Sequence, residues 1–304
     1  MTKIISEIGI NHNGSLDLCK ELIVKSKEAG ADYVKIQKRN PDVCVPELQK
    51  SKRRDTPWGE MSYLEYKHKI EFDENQIKEL CDFCNNLGIN FFASVWDQDS
   101  ARLMAKYTKI AKLGSASIND LELCNLVREL FDYVIISTGM STEEEIEAAV
   151  EASKPDVIMH TNSTYPCEAE DLNLNYIFHL KEKYPNTEIG YSGHEFGLVT
   201  TFAAVAMGST WIERHFTLDR SMWGSDHSSS IEPEDLKNLV SGIREIEKAT
   251  KYEAGPRILF EKENIKRESL RKEAKNKKKT TVILFKKKKD ISEQKNISEK
   301  KVNL

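Results

Sequence analysis

No run of about 18 consecutive apolar residues occurs in the chain, so the sequence offers no membrane-spanning helix. Met1-Thr2-Lys3 leads directly into a short strand-like run, and a secretory signal is not expected. The six cysteines (Cys19, Cys44, Cys81, Cys84, Cys124, Cys167) follow no disulfide framework. Cys81-x-x-Cys84 falls inside an amphipathic helical pattern and has no second pair to complete a zinc site. Reduced thiols in a soluble, cytoplasmic protein are therefore expected. No strand-like run is followed by Gly-x-Gly-x-x-Gly, which removes the main signature of a dinucleotide-binding open sheet. A large excess of either charge is also missing, with 45 Lys and Arg against 49 Asp and Glu, but the balance is uneven along the chain. Residues 261–304 hold 16 basic and 7 acidic residues, net +9, whereas residues 1–260 hold 29 and 42, net −13.

The acidic body is long enough for two average domains or for one (β/α)8 barrel, and periodicity decides between them. Apolar, β-rich runs at Lys3–Ile8, Tyr33–Gln37, Asn90–Ser94, Ile110–Leu113, Tyr133–Ser137, Val157–His160, Glu188–Ser192 and Trp211–His215 are each followed by a helical pattern. Those patterns run over Leu16–Ala29, Asp73–Leu87, Asp99–Tyr107, Asp120–Leu130, Thr142–Ala152, Leu172–Tyr184, Gly197–Met207 and Glu232–Ala249. Ser141-Thr142-Glu143-Glu144-Glu145 puts carboxylates in a first helical turn, and Gly30, Gly88 and Gly208 stand just past helix ends. Eight such repeats predict the α/β class and a (β/α)8 TIM barrel over residues 1–255, followed by a basic, partly disordered tail over residues 256–304. The one long connection, about Lys38–Phe72, has the length of a lid or ligand loop.

A barrel builds its active site at the C-terminal ends of its strands. Those positions hold Glu7, Lys35 and Gln37, Ser94, Lys112 and Ser115, Ser137 and Thr138, His160 to Tyr165, Ser192 and His194, and His215 with Thr217. His194 and His215 end neighbouring strands, a spacing suited to a divalent metal with open coordination positions. Lys35 and Lys112 interrupt apolar runs, where a lysine is costly unless it meets an anion. The anion is either an internal carboxylate or a bound phosphate or carboxylate ligand. Glu7 reads equally as a lysine partner or a general base. His227 reads as a loop histidine.

These residues resemble the sialic acid synthases, the N-acetylneuraminate synthase family. The segments that carry the resemblance are Glu7-Ile-Gly-Ile-Asn-His-Asn-Gly14, Lys35-Ile-Gln37, Thr56-Pro-Trp-Gly-Glu-Met61, Ser137-Thr-Gly-Met140, Gly190-Tyr-Ser-Gly-His194, Glu213-Arg-His-Phe-Thr217 and Asp219-Arg-Ser-Met-Trp-Gly-Ser-Asp226. They span about residues 3–250. The resemblance implies condensation of phosphoenolpyruvate with an open-chain N-acetylhexosamine to a nine-carbon 2-keto sugar acid and phosphate. It implies His194 and His215 as ligands of a divalent metal, Mn2+ or Mg2+, and Glu7, Lys35 and Lys112 as catalytic groups. Ser94, Ser115 and Ser192 would join the lysines on phosphoenolpyruvate, and Gln37, Tyr165 and Asp226 would hold the sugar, with either Asn162 or Ser163 facing the substrate. A homodimer is the implied assembly.

The chain departs from the family pattern in three places. Gly114-Ser115-Ala116-Ser117 stands where many members have Gly-Ser-Gly-Glu, so a carboxylate is missing. The asparagine of Asn162-Ser163-Thr164-Tyr165-Pro166 is shifted by one position. Beyond residue 256 only a lysine-rich remnant of the family's antifreeze-like accessory domain is expected. Lys277-Lys-Lys279 and Lys286-Lys-Lys-Lys289 have the charge to attach nucleic acid or an anionic membrane, but their position argues for a truncated domain, so neither partner is expected. Two rivals remain at this level: a Schiff-base pyruvate aldolase using Lys112 or Lys35, and a non-catalytic sugar-binding barrel.

Overall fold

The computed structural model describes residues 1–271. Along the chain it runs β1 (Lys3–Gly9), α1 (Leu16–Ala29), β2 (Tyr33–Lys38), α2 (Pro41–Cys44), α3 (Glu47–Lys50), β3 (Arg53–Thr56), β4 (Gly59–Ser62), α4 (Tyr63–Ile70) and α5 (Glu74–Leu87). It continues through β5 (Asn90–Val95), α6 (Gln98–Met104), β6 (Ile110–Leu113), α7 (Leu121–Leu130), β7 (Tyr133–Ser137) and α8 (Glu143–Ser153). The remaining elements are β8 (Val157–Thr161), α9 (Tyr176–Lys183), β9 (Glu188–Gly193), α10 (Val199–Ala206), β10 (Trp211–His215), α11 (Pro233–Ala249) and α12 (Glu261–Leu270). Eight parallel strands close in the order β1-β2-β5-β6-β7-β8-β9-β10, with β10 pairing back to β1. The expected (β/α)8 barrel is the observed fold.

Local chemistry explains the helix ends. Thr142 caps α8 with a reciprocal bond to Glu145, and Asp73 and Gln76 do the same for α5. Gly30 and Gly88 adopt the left-handed conformation at φ 92° and 71° that closes α1 and α5. The connection between β2 and α5 is not the open loop its length suggested: it folds into α2, α3, the antiparallel β3-β4 hairpin and α4. Helix α9 starts four residues later than expected, after a 3-10 turn at Ala169–Asp171.

Two apolar layers hold the barrel. Ile4, Ile8, Val34, Ile36 and Val134 face the surrounding helices, while Ile5, Phe92, Ile135, Val157, Met159 and Trp211 fill the interior. Side chains alternate along a strand, so the next inward positions above Ile5, Phe92, Ile135 and Trp211 are Glu7, Ser94, Ser137 and Glu213. The interior is thus an apolar plug capped by a polar layer at the strand C-termini.

Chain contacts divide into two units between Lys251 and Tyr252. In the second unit α12 has no buried residue. The lysine runs at 277–279 and 286–289, and with them most of the expected tail, lie outside the described residues. All six cysteines are free thiols. Among the described residues no helix is long and apolar enough to cross a membrane.

On the outer face of β9 and β10, Arg214 is 1% exposed and meets Glu195, itself 2% exposed, at 3.3 Å. Arg214 also donates to Thr201 Oγ1 and to the Gly197 carbonyl, both at 2.8 Å. Gly193 makes room for this pair, since a Cβ there would stand 2.4 Å from Glu195 Oε2. Arg214→Met strands a buried carboxylate and is expected to cost about 3–5 kcal/mol in urea unfolding. Adding Glu195→Leu should recover part of that loss; a single variant as stable as the parent would contradict the assignment.

Candidate active site

Strand register assembles the site. Glu7 stands opposite Lys35 on one side and His215 on the other, Gln37 opposite Ser94, Ser94 opposite Lys112, and Glu213 opposite Ser192. These side chains line a cavity of about 200 Å³ together with Ser115, Ser137, Ser163, Tyr165 and His194. Eleven of the residues expected from the sequence therefore share one cavity: Glu7, Lys35, Gln37, Ser94, Lys112, Ser115, Ser163, Tyr165, Ser192, His194 and His215.

Glu213 was missed. Its Oε1 lies 2.8 Å from Lys112 Nζ and 3.6 Å from Lys35 Nζ, while Lys35 Nζ lies 2.7 Å from Glu7 Oε2. Lys35 also donates to Ser94 Oγ at 2.6 Å, and Ser192 Oγ donates to Glu213 at 3.3 Å. Both lysines thus meet internal carboxylates, in a buried row of alternating charge Glu7, Lys35, Glu213, Lys112. The available signal was the Trp-Ile-Glu-Arg-His run, which puts Glu213 on the inward face two residues before His215.

The two carboxylates differ in character. Burial raises the Glu7 carboxyl above its usual range despite the opposing Lys35, which favours its protonated form. Burial acts on Glu213 in the same sense, but Lys112 and Lys35 outweigh it and hold Glu213 down at about 2, ionised. Burial also pushes the Lys112 ammonium below its usual range. Two acids with opposed shifts in one cavity make a plausible division into proton carrier and fixed counter-charge.

His194 and His215 have ring centroids 5.4 Å apart, and the Tyr165 ring lies 4.0 Å from that of His194. His194 Nδ1 bonds the Asn162 carbonyl at 2.6 Å, which fixes the proton there and leaves Nε2 with a free lone pair. Burial and the neighbouring His215 lower His194 to about 3, so the ring is neutral, as a metal ligand must be. His215 Nδ1 is buried with no hydrogen-bond partner, and Asp226 Oδ2 lies 3.9 Å from it. No group of three or more His, Cys, Asp or Glu among the described residues is arranged for a metal. The pair fits a divalent cation as two imidazole nitrogen ligands with the other positions open. Glu213 Oε2 and Ser137 Oγ are likewise buried and unpartnered at the cavity wall.

Several expectations change. Of the alternatives Asn162 and Ser163, Ser163 lines the cavity. The Asn162 side chain turns away, accepting from Thr164 N at 2.9 Å and donating to Asp171 O, so it is not a substrate contact here and acts through its carbonyl on His194. Asp226 borders His215 rather than lining the cavity. His160 points outward and bonds Leu172 O at 2.7 Å. Thr217 is engaged by His227 at 2.7 Å, and His227 is fully buried in a 3-10 turn, not a free loop histidine. Ser117 is buried outside the cavity wall, so the cavity's carboxylates are Glu7 and Glu213.

Residues 22–254 match the family model described as the NeuB family. The chain belongs to the NeuB family. It is 39% identical over 248 residues to N-acetylneuraminate-9-phosphate synthase of Drosophila melanogaster, covering 79% of this chain and 66% of that protein. It is 36% identical over 258 residues to N,N'-diacetyllegionaminic acid synthase of Campylobacter jejuni, covering 82% and 77%. The crystal structure of N-acetylneuraminic acid (sialic acid) synthetase from Leptospira borgpetersenii, a citrate complex, superposes with a TM-score of 0.78 at 30% identity, covering 90% of this chain and 93% of that one. The chain thus spans about two thirds of the fly protein's length.

Acid sensitivity follows from two buried histidines. His12, stacked on Phe72 with centroids 4.2 Å apart, is lowered by burial and by Arg39 to about 3, as His194 is by burial and His215. Below the usual 6.5 the unfolded chain takes up protons that the folded chain refuses, so stability present above that pH is lost as pH falls toward 3. For the metal-free protein, urea unfolding between pH 6.5 and 5 should show a loss of about 1.4 kcal/mol per pH unit for each histidine. A flat profile there would contradict the neutral buried state of both.

Proposed function

We propose that this NeuB-family chain condenses phosphoenolpyruvate with an open-chain N-acylated hexosamine, giving a nine-carbon 2-keto sugar acid and inorganic phosphate. The observation that carries this reading is the buried Glu7-Lys35-Glu213-Lys112 row beside the paired His194 and His215. The synthase names of the fly and Campylobacter relatives support it.

In the reaction, C3 of phosphoenolpyruvate forms a bond to the aldehyde carbon, and water adds its oxygen to C2. The C2–O bond to phosphate then breaks, and the two water protons end on the former aldehyde oxygen and on phosphate. Lys112 and Lys35, with Ser94, Ser115, Ser137, Ser163 and Ser192 around them, offer cationic and hydroxyl donors to a trianionic substrate. Glu213, ionised between the lysines, holds Lys112 at 2.8 Å and Lys35 at 3.6 Å until the anion arrives. Glu7, whose burial favours the protonated form, is placed to hand a proton to the aldehyde oxygen. Gln37 and Tyr165, which line the cavity, are assigned to the sugar, with Asp226 beside His215. Mn2+ or Mg2+ held by His194 and His215 would supply Lewis-acid polarisation of the aldehyde. The residues named keep that aldehyde facing C3 and limit water to one approach.

Phosphate release from phosphoenolpyruvate, measured with Mn2+ across hexosamine acceptors, tests the reading. Acceptor-dependent release is expected; its absence with every acceptor, or borohydride trapping of pyruvate on a lysine, would overturn it. Lys112→Ala should raise the calorimetric Kd for phosphoenolpyruvate at least tenfold, about 1.4 kcal/mol. Glu7→Gln should keep that binding while abolishing phosphate release, and normal turnover would exclude Glu7 from proton transfer.

A further inference from the structure

A second cavity, of about 600 Å³ against about 200 Å³ for the catalytic one, opens between the loops that follow β7 and β8. Its volume falls in the range of about 300–1,000 Å³ usual for small-molecule sites. Met140, Thr161 and Ser163 line both cavities, so the two share a wall. None of Glu7, Lys35, Lys112, Glu213, His194 or His215 lines the outer one, and the condensation makes no use of it.

The hydroxyl protons of its wall are already engaged. Thr138 Oγ1 and Thr161 Oγ1 both donate to the Met159 carbonyl, at 3.2 and 3.3 Å. Ser141 Oγ donates to the Gly139 carbonyl at 3.3 Å, Thr164 Oγ1 to Asn162 Oδ1 at 2.8 Å, and the Tyr176 hydroxyl to Glu143 at 2.6 Å. A hydroxyl has one proton, so these oxygens can meet a ligand only through their lone pairs. His160 adds a further acceptor. It is 6% exposed, and burial lowers its pKa and keeps the ring neutral. Its Nε2 proton goes to the Leu172 carbonyl at 2.7 Å, which leaves Nδ1 a lone pair that is buried without a hydrogen-bond partner. A buried acceptor without a donor is costly.

Charge narrows the class of ligand. Glu143 is the only carboxylate in the wall, and Lys183, Tyr176 and His179 bond it and hold it down at about 2, ionised. Among the described residues no Lys or Arg lines the cavity. An anion would bring acceptors to a wall of acceptors and would meet a carboxylate as well. An ammonium would find that carboxylate already paired with Lys183 and would lose its hydration without an unpaired counter-charge. Uncharged O–H donors suit the wall, and Met140 and Ile146 offer apolar surface to the C–H faces between them.

We propose that this outer cavity is a second ligand site, which takes an uncharged polyhydroxylated molecule of sugar-ring size and holds it through O–H donors to His160 Nδ1 and the threonine and serine oxygens. The site goes beyond the condensation and does not depend on it.

The test is a saturation-transfer NMR titration of the full chain with methyl α-glucoside, methyl α-mannoside and myo-inositol, none of which carries an aldehyde. At least one should bind with a Kd of about 5 mM or tighter, equally with and without saturating phosphoenolpyruvate. His160→Phe removes the unpaired acceptor, and Ser141→Trp fills the cavity; each should raise that Kd at least tenfold. Ser141 is partly exposed just ahead of the α8 cap, so its variant remains informative if His160→Phe fails to fold. Binding by none of the three, displacement by phosphoenolpyruvate, or an unchanged Kd in either folded variant would overturn the site. Tighter binding of inorganic phosphate or of spermidine, lost in the same variants, would overturn the ligand class.

Discussion

Everything at the mouth of this barrel depends on a buried row of alternating carboxyl and amino groups, Glu7, Lys35, Glu213 and Lys112. Each is nearly inaccessible to water, so a charged member would be strongly destabilising alone. Successive members meet at 2.7, 3.6 and 2.8 Å, and the ionised Glu213 lies between the two lysines. The row also requires barrel closure, because β1 supplies Glu7 and β10 supplies Glu213, and those strands neighbour each other only when the sheet closes. Stability and reactivity are thus coupled. The lysines that would receive an anionic substrate are held in place by carboxyl groups that the same closure brings to them.

A second shell of charge stands behind the strands. Arg214 on β10 and Glu195, two residues past the end of β9, are each next in sequence to one of the two cavity histidines. Because neighbouring residues on a strand point to opposite faces, the outer ion pair anchors the backbone from which His194 and His215 project inward. The Asn162 carbonyl completes the arrangement by fixing the His194 tautomer. The histidines are therefore oriented by groups that never enter the cavity.

The third contribution comes from the segment after β2. Its short helices and hairpin bring aromatic rings and cations over one side of the mouth, where Tyr66 meets Trp223 from the loop after β10. Through Arg39, which donates to Gln37 Oε1 at 2.7 Å, the same segment also touches a side chain of the cavity wall.

The sequence by itself determined the eight alternations, the barrel, and the inward residues at most strand ends, because periods of two and of 3.6 are local properties that each segment expresses regardless of its partners. It also marked Lys35 and Lys112 as needing anions. It did not identify the anions, since Glu213 lies 101 residues from Lys112 and hides in an apolar run beside a more conspicuous histidine. It left Asn162 and Ser163 undivided, because a loop has no period and its facing is set by bonds such as that from Asn162 to Asp171. The segment from residue 38 to 72 offered a length and the Thr56–Met61 motif, and its fold follows from packing of Tyr66 against Ile10 and Trp223. Which charges meet depends on strand register and closure, and these are decided by the tertiary structure, since only there do residues far apart in sequence share one low-dielectric cavity.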